Sequence, residues 1–218
     1  MTQLNPQDFV ITRKRKKYRF ALFHNSPLCF EIDEWNKAWS PYTMEIGAGT
    51  GLFSVALAEQ YPDRKFVAID IKGDRLQTGA RLAEEKGLTN VHFLRARADQ
   101  ISDLLAANSL ETIWITFPDP FPKNKSGARR LTHPTYLEMY RSLLADTGAL
   151  YLKHDSREFF LWSLEQLVAE KWVIDELSFD LHESDLPGEY KVMTTYETRW
   201  TNEGIVTNFV KASLHLYI

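Results

Sequence analysis

Two short stretches hold residue types at spacings that chemistry can use. The first is TFPDPFPKNKSGARR (116–130). It sets one carboxylate, Asp119, between Pro118 and Pro120, adds Pro122, and then places Lys123, Lys125, Arg129 and Arg130 within eight positions. The prolines restrict the backbone and pre-organise the acid. A lone acid beside a cationic rim suits a phosphate-bearing substrate: the rim would hold the backbone and the acid would read a base. An Asp-Pro turn with a solvated basic tail has the same residue types. Asp119 stands directly after the apolar run ETIWITF, at the end of a strand, which favours chemistry.

The second stretch is EIGAGTG (45–51), where Gly47, Gly49 and Gly51 follow an apolar strand. Glycines there permit a sharp turn and close approach to a ligand. The spacing is G-x-G-x-G; a dinucleotide loop would put Gly or Ala at position 52, which is Leu. Glu45 precedes the first glycine, where a carboxylate would repel a pyrophosphate and suits an ammonium or sulfonium. Asp70, 23 residues after Gly47, ends the next strand and suits a ribose diol. Together these favour S-adenosylmethionine over NAD. An adenine partner belongs at the end of the third strand, where Asp99 is the nearest acid; N-capping of the ISDLLAA stretch is its alternative role.

These residues need a scaffold. Strand-like runs at 42–46, 65–70, 91–96, 111–117 and 149–155 alternate with helix-period stretches. Leu76, Ala80 and Ala83 share one helical face, as do Leu137, Tyr140 and Leu144, and Phe160, Leu164 and Leu167. Such alternation predicts an α/β, doubly wound, mostly parallel sheet with ligands at the carboxyl ends of its strands. The final third reads as strands without helices, at 172–181, around VMTTYETRW and at VTNFVKASLHLYI, so an antiparallel C-terminal edge is expected. Residues 1–40 read as a basic arm and lead-in helix ahead of a domain at 41–218. TRKRKKYR (12–19) holds six basic residues in eight, which suits RNA contact or a solvated arm.

The chain has 218 residues, 44% hydrophobic and 25% charged, enough for one full-sized core. A net charge of −3 means that any nucleic-acid binding rests on local patches. The single cysteine excludes an intrachain disulfide. The polar N-terminus has no signal core and the apolar runs are too short for a membrane span, so a soluble cytoplasmic protein without membrane attachment is expected. The six histidines have no metal-ligand spacing, and no metal is expected. His133, before Pro134, reads as a helix cap, and the tryptophans read as core. Oligomeric state is open between monomer and homodimer.

With EIGAGTG, FPDPFPK followed by RRL, YLKHD and TTYETRW, the chain resembles the bacterial tRNA (guanine-N7)-methyltransferase family from about residue 42 to 215. The resemblance implies a seven-stranded Rossmann-like methyltransferase fold and methyl transfer from S-adenosylmethionine to N7 of a tRNA guanine, at variable-loop position 46. The products would be 7-methylguanosine and S-adenosylhomocysteine. It implies that Glu45 and Asp70 bind the cofactor, that Asp119 stands at the reactive centre, and that Lys123, Asp155 and the Thr194–Glu197 stretch contact substrate. The loop from Lys125 to Arg130 would touch RNA. Four positions depart from the family pattern: Phe121 replaces a Trp, Ser126 and Ala128 replace a His and a basic residue, and Arg97 replaces an Asp or Asn just before Ala98. The last leaves a backbone amide or Asp99 for the adenine.

The chemistry is self-consistent. Guanine N7 has a free lone pair, so no strong base is needed. The protein must align the reactants and exclude water. A carboxylate would stabilise the positive charge developing on the purine, or accept from guanine's N1–H and amine; Asp119, Asp155 and Glu197 can fill these roles. The alternatives are an amino-methyltransferase acting on adenine or cytosine, which also uses an Asp-Pro-aromatic element, and a catalytically silent RNA-binding paralogue.

Overall fold

The structure is a computed structural model and describes residues 3–11, 13–194, 196–198 and 203–214. Eight strands form one sheet: β1 (Cys29–Glu31), β2 (Thr43–Ile46), β3 (Phe66–Asp70), β4 (Val91–Arg95), β5 (Leu110–Thr116), β6 (Leu144–His154), β7 (Val173–Ser178) and β8 (Asn208–Ser213). Their order is β1-β4-β3-β2-β5-β6-β8-β7. Every pair from β1 to β6 is parallel, and β8 runs antiparallel to both β6 and β7. The doubly wound sheet and its antiparallel edge are as expected; the strand number is eight rather than seven. The additional strand, β1, is only three residues long and comes from the lead-in.

Alternation along the strands decides what each face buries. Val67 and Ile69 of β3 belong to the same core cluster as Leu137 and Tyr140 of α4 (Pro134–Leu143) and Phe160 and Leu167 of α5 (Arg157–Ala169). Phe66 and Ala68 face the other way, onto Phe53 and Leu57 of α2 (Leu52–Gln60) and Leu76 and Ala80 of α3 (Gly73–Glu85). The central strand β2 is buried on both faces, as a covered parallel strand must be.

The basic run is helical: α1 (Lys14–Asn25) begins inside it and packs along α3. Arg95, at the end of β4, stacks over Phe20 of α1 at 4.9 Å and pairs with Glu31 at 2.9 Å. His133 caps α4, its side chain accepting from the Thr135 amide, with Pro134 opening the helix. Trp35, Trp114 and Trp172 are buried; Trp200 lies outside the described residues. Among the described residues no helix is long and apolar enough to cross a membrane.

The described residues of the VMTTYETRW stretch form no strand. Residues 192–194 are irregular and 196–198 make a helical turn. Thr194 Oγ1 accepts from the Glu197 amide at 2.9 Å, while Glu197 Oε2 accepts from the Thr194 amide at 3.0 Å. That reciprocal pair is a capping box, written in the sequence as T-x-x-E. Thr and Tyr imitate a strand in composition, but the local hydrogen bonds win.

Candidate functional site

The parallel strands β2, β3, β4 and β5 end at one edge of the sheet, and the segments that follow them enclose a cleft of about 490 Å³. It brings together Gly47, Gly49, Asp70, Arg97, Ala98, Asp99, Asp119 and Arg129 from the expected site, and adds Phe117, Phe121 and Tyr136. Asp70 anchors its floor. One carboxylate oxygen accepts from the Gly49 amide at 2.9 Å and the other from the Lys72 amide at 2.8 Å. Each oxygen keeps capacity for a further donor. Burial pushes this carboxyl above its ordinary value, and the two amides oppose the shift.

The glycine loop shapes the cleft from beneath. Gly51 has φ +71°, and an added Cβ would sit 2.6 Å from the Phe93 ring, so no other residue fits this tight strand-to-helix passage. Gly51 caps α2 and does not line the cleft. At Gly49 an added Cβ would meet nothing within 4 Å and would instead occupy the cleft. This open cradle, with a carboxylate beside it that keeps acceptor capacity, fits an adenosine-type ligand such as S-adenosylmethionine.

Glu45 departs from its expected place against a cationic ligand group. The pleat of β2 turns it toward α2, where it is 2% exposed and outside the cleft lining. Ser54 donates to it at 2.6 Å and Thr116 at 2.7 Å. Burial raises its carboxyl to about 7 despite these hydroxyls. Arg97 and Asp99 are exposed and pair with each other at 2.7 Å on the cleft rim. Arg97, not Asp99, is the capping residue of the 3-10 helix at 98–103.

Asp119 is exposed on the loop after β5 and lines the cleft. Two large residues on either side hold left-handed backbone: Phe117 at φ 47° and Phe121 at φ 41°. Such a conformation costs a non-glycine residue about 1–2 kcal/mol, and it persists only where surroundings enforce it. The Phe117 amide donates to Lys153 O at 2.9 Å. His154 is buried. Its Nδ1 accepts from the Ser156 amide at 2.8 Å, which leaves the proton on Nε2 to donate to Pro118 O at 3.0 Å.

The basic residues divide. Lys123, Lys125 and Arg129 are exposed, with the Arg129 guanidinium 4.4 Å from the Phe121 ring centroid. Arg130 was expected beside them on the rim and is instead buried at 8% exposure, turned inward. Its Nε donates to Pro120 O at 3.0 Å and its Nη2 to Phe121 O at 3.1 Å.

The expected substrate-contact residues beyond the loop are partly internal. Glu197 and Thr194 are buried, and Glu197 pairs with the fully buried Lys153 at 3.3 Å and with His182 at 2.8 Å. Asp155 is half-buried: it accepts from the Ser156 amide at 3.0 Å and from the Tyr196 hydroxyl at 3.1 Å. The Tyr196 ring lies 5.1 Å from Phe117 and so connects this cluster to the cleft wall. Lys153 and His154 escape sequence reasoning, although both sit inside the YLKHD run; Tyr196 falls within the expected Thr194–Glu197 stretch.

Comparison with known proteins follows the same lines. A family model described as "Putative methyltransferase" matches residues 40–208. The chain is 34% identical over 197 residues to a tRNA (guanine-N(7)-)-methyltransferase of Brevibacillus brevis, covering 89% of this chain and 91% of the relative. It is 35% identical over 203 residues to a protein of that name from Clostridioides difficile, covering 88% and 94%. Among solved structures it resembles the 16S rRNA methyltransferase KamB, with TM-score 0.60 at 15% identity over 85% of this chain and 91% of the other. It also resembles a SAM-dependent methyltransferase from Aquifex aeolicus, with TM-score 0.54 at 14% identity over 79% and 81%. At these identities the structural likeness concerns the fold.

Proposed function

The chain belongs to the tRNA (guanine-N7)-methyltransferase family and is a methyltransferase; from that premise we propose that it transfers a methyl group from S-adenosylmethionine to N7 of a guanine in tRNA, at variable-loop position 46. The observation that carries this reading is the shared cleft, which is lined by both Asp70 and Asp119 and by an exposed arginine, Arg129. When bound, S-adenosylmethionine supplies an electrophilic methyl group on its sulfonium.

The chain's own residues do the rest. Asp70 holds the ribose diol with its remaining lone pairs, and the Gly47–Gly49 backbone receives the ligand closely. Arg97, Ala98 and Asp99 border the adenine end. Asp119 stabilises positive charge as it develops on the purine and selects guanine through its N1–H and amine. Asp155 and the Tyr196 hydroxyl extend that polar wall. Glu45, beneath the loop, ties β2 to Ser54 and Thr116 rather than contacting the ligand. Lys123, Lys125 and Arg129, with the exposed lysines and arginines of α1, hold phosphates. The proposed setting is the cytoplasm, where tRNA is found.

Two expectations test the parts. Asp70→Ala should weaken S-adenosylmethionine binding by about 1.5–3 kcal/mol, roughly ten- to hundredfold in Kd, through loss of charge-assisted bonds. Calorimetry reads this directly; unchanged affinity, or binding of NAD by the native protein, would remove Asp70 from the ribose site. Neutralising Lys125 and Arg129 should lower the slope of log K for tRNA against log salt by about one to two, because fewer counterions are released. An unchanged slope across a salt series would make both residues solvated surface. The reading as a whole is tested by nucleoside analysis of tRNA incubated with the protein and S-adenosylmethionine, where 7-methylguanosine is expected.

A further inference from the structure

We propose that Arg130 is a positioning residue: it does not contact RNA phosphate but clamps the Phe117–Phe121 turn so that Asp119 faces the cleft. The inference rests on the reading of Asp119 as the residue at the reactive centre.

Arg130 lies in a basic run, yet its guanidinium is directed away from solvent. Its Nε and Nη2 donate to the successive carbonyls of Pro120 and Phe121, and its planar group lies 4.3 Å from the Trp162 ring centroid. No carboxylate pairs with it among the described residues. A buried cation is tolerated only when its donors are satisfied, and here two carbonyls and an aromatic face do so. The carbonyls it holds are those of the residue after Asp119 and of Phe121, whose backbone is left-handed at φ 41°. On the other side of the turn, His154 Nε2 holds Pro118 O at 3.0 Å. The strained turn is therefore gripped on both sides of Asp119, and Pro118 and Pro120 have no amide through which a backbone ladder could do the same.

A fork geometry explains why Arg stands here. Guanidinium presents two parallel N–H groups to two acceptors, and a lysine ammonium cannot reproduce that arrangement. Arg129 next door has the opposite fate, exposed over Phe121. The 3-10 turn at 124–129 ends between them and sends consecutive side chains to opposite sides of the loop.

The test is Arg130→Lys, which keeps the charge and loses the fork, alongside His154→Leu, which removes the other grip. Steady-state kinetics on tRNA, tRNA binding across a salt series, and amide hydrogen exchange of the full-length protein are read together. Arg130→Lys should lower kcat about a hundredfold, as misplacement of a reacting group does. KM and the salt slope should stay unchanged, and exchange at the Phe117 amide, which donates to Lys153 O, should speed up. His154→Leu should speed exchange at the same amide, so the clamp can be read even if one variant folds poorly. If Arg130→Ala lowers the salt slope by about one with kcat unchanged, Arg130 is a phosphate contact and the proposal is overturned. Unchanged exchange in the Arg130 and His154 variants overturns it equally. A native protein inactive on tRNA would defeat the methyl-transfer reading instead, and the exchange data would still decide whether the clamp exists.

Discussion

Asp119→Ala is expected to cut methyl transfer to tRNA by about a hundredfold or more while leaving S-adenosylmethionine affinity largely intact. The magnitude is that of losing one pre-organised partner for a charge that develops in the transition state. Among the described residues nothing hydrogen-bonds the Asp119 carboxylate, whereas Asp70 is engaged by two amides. A carboxylate left without partners, on a strained loop at the cleft wall, is free to engage substrate. Its removal disturbs no internal bond, so thermal unfolding should be nearly unchanged, which separates chemistry from misfolding. Asp119→Asn should fall between, since it keeps one acceptor and loses the charge. A normal turnover number for Asp119→Ala would place the reactive centre elsewhere.

The second large effect concerns stability. Lys153→Met should destabilise the fold by about 3–5 kcal/mol, because it removes the buried cation that pairs with the buried Glu197 carboxylate. Lys153 Nζ also donates to Val192 O at 2.8 Å, and so ties the 192–197 segment to the end of β6. Burial pushes the Lys153 ammonium below its ordinary value, and the Glu197 and Glu45 carboxylates pull it back. Glu197→Gln should cost a similar amount, and the double variant should cost less than the sum of the two, as coupled neighbours do. Urea midpoints with unchanged m-values would measure this. Additive losses would mean that the pair contributes no coupling and that each side chain matters only for its own packing.

What the sequence reveals and conceals follows from where the determining interactions lie. The glycine loop, Asp70 and Asp119 are legible because each is fixed by its neighbours: glycines force a turn, and an acid at a strand end projects from the sheet edge. The parallel core is legible from apolar runs such as ETIWITF. Arg130 is not, since nothing local separates it from Arg129; only the Pro120 and Phe121 carbonyls, reached through the fold, turn it inward. Lys153 looks like an outward-facing strand residue until Glu197, 44 positions away, is brought beside it. Glu45 reads as a ligand group from its place before the glycines, but the pleat of β2 directs it to Ser54. The capping box at Thr194–Glu197 was visible as T-x-x-E and was obscured by strand-like composition. The three residues of β1 are too few for any periodicity.

Whether the cleft methylates guanine N7 in tRNA can be read from the modified nucleoside itself. Unmodified tRNA is incubated with the protein and S-adenosylmethionine, digested to nucleosides and analysed by mass spectrometry, with a parallel sample reduced by borohydride and treated with aniline. The account predicts 7-methylguanosine, stoichiometric formation of S-adenosylhomocysteine, and strand cleavage at one site in the variable loop, because the fixed positive charge makes the glycosidic bond labile. A methylated adenine or cytosine that resists cleavage, or no methylated nucleoside at all, would contradict it.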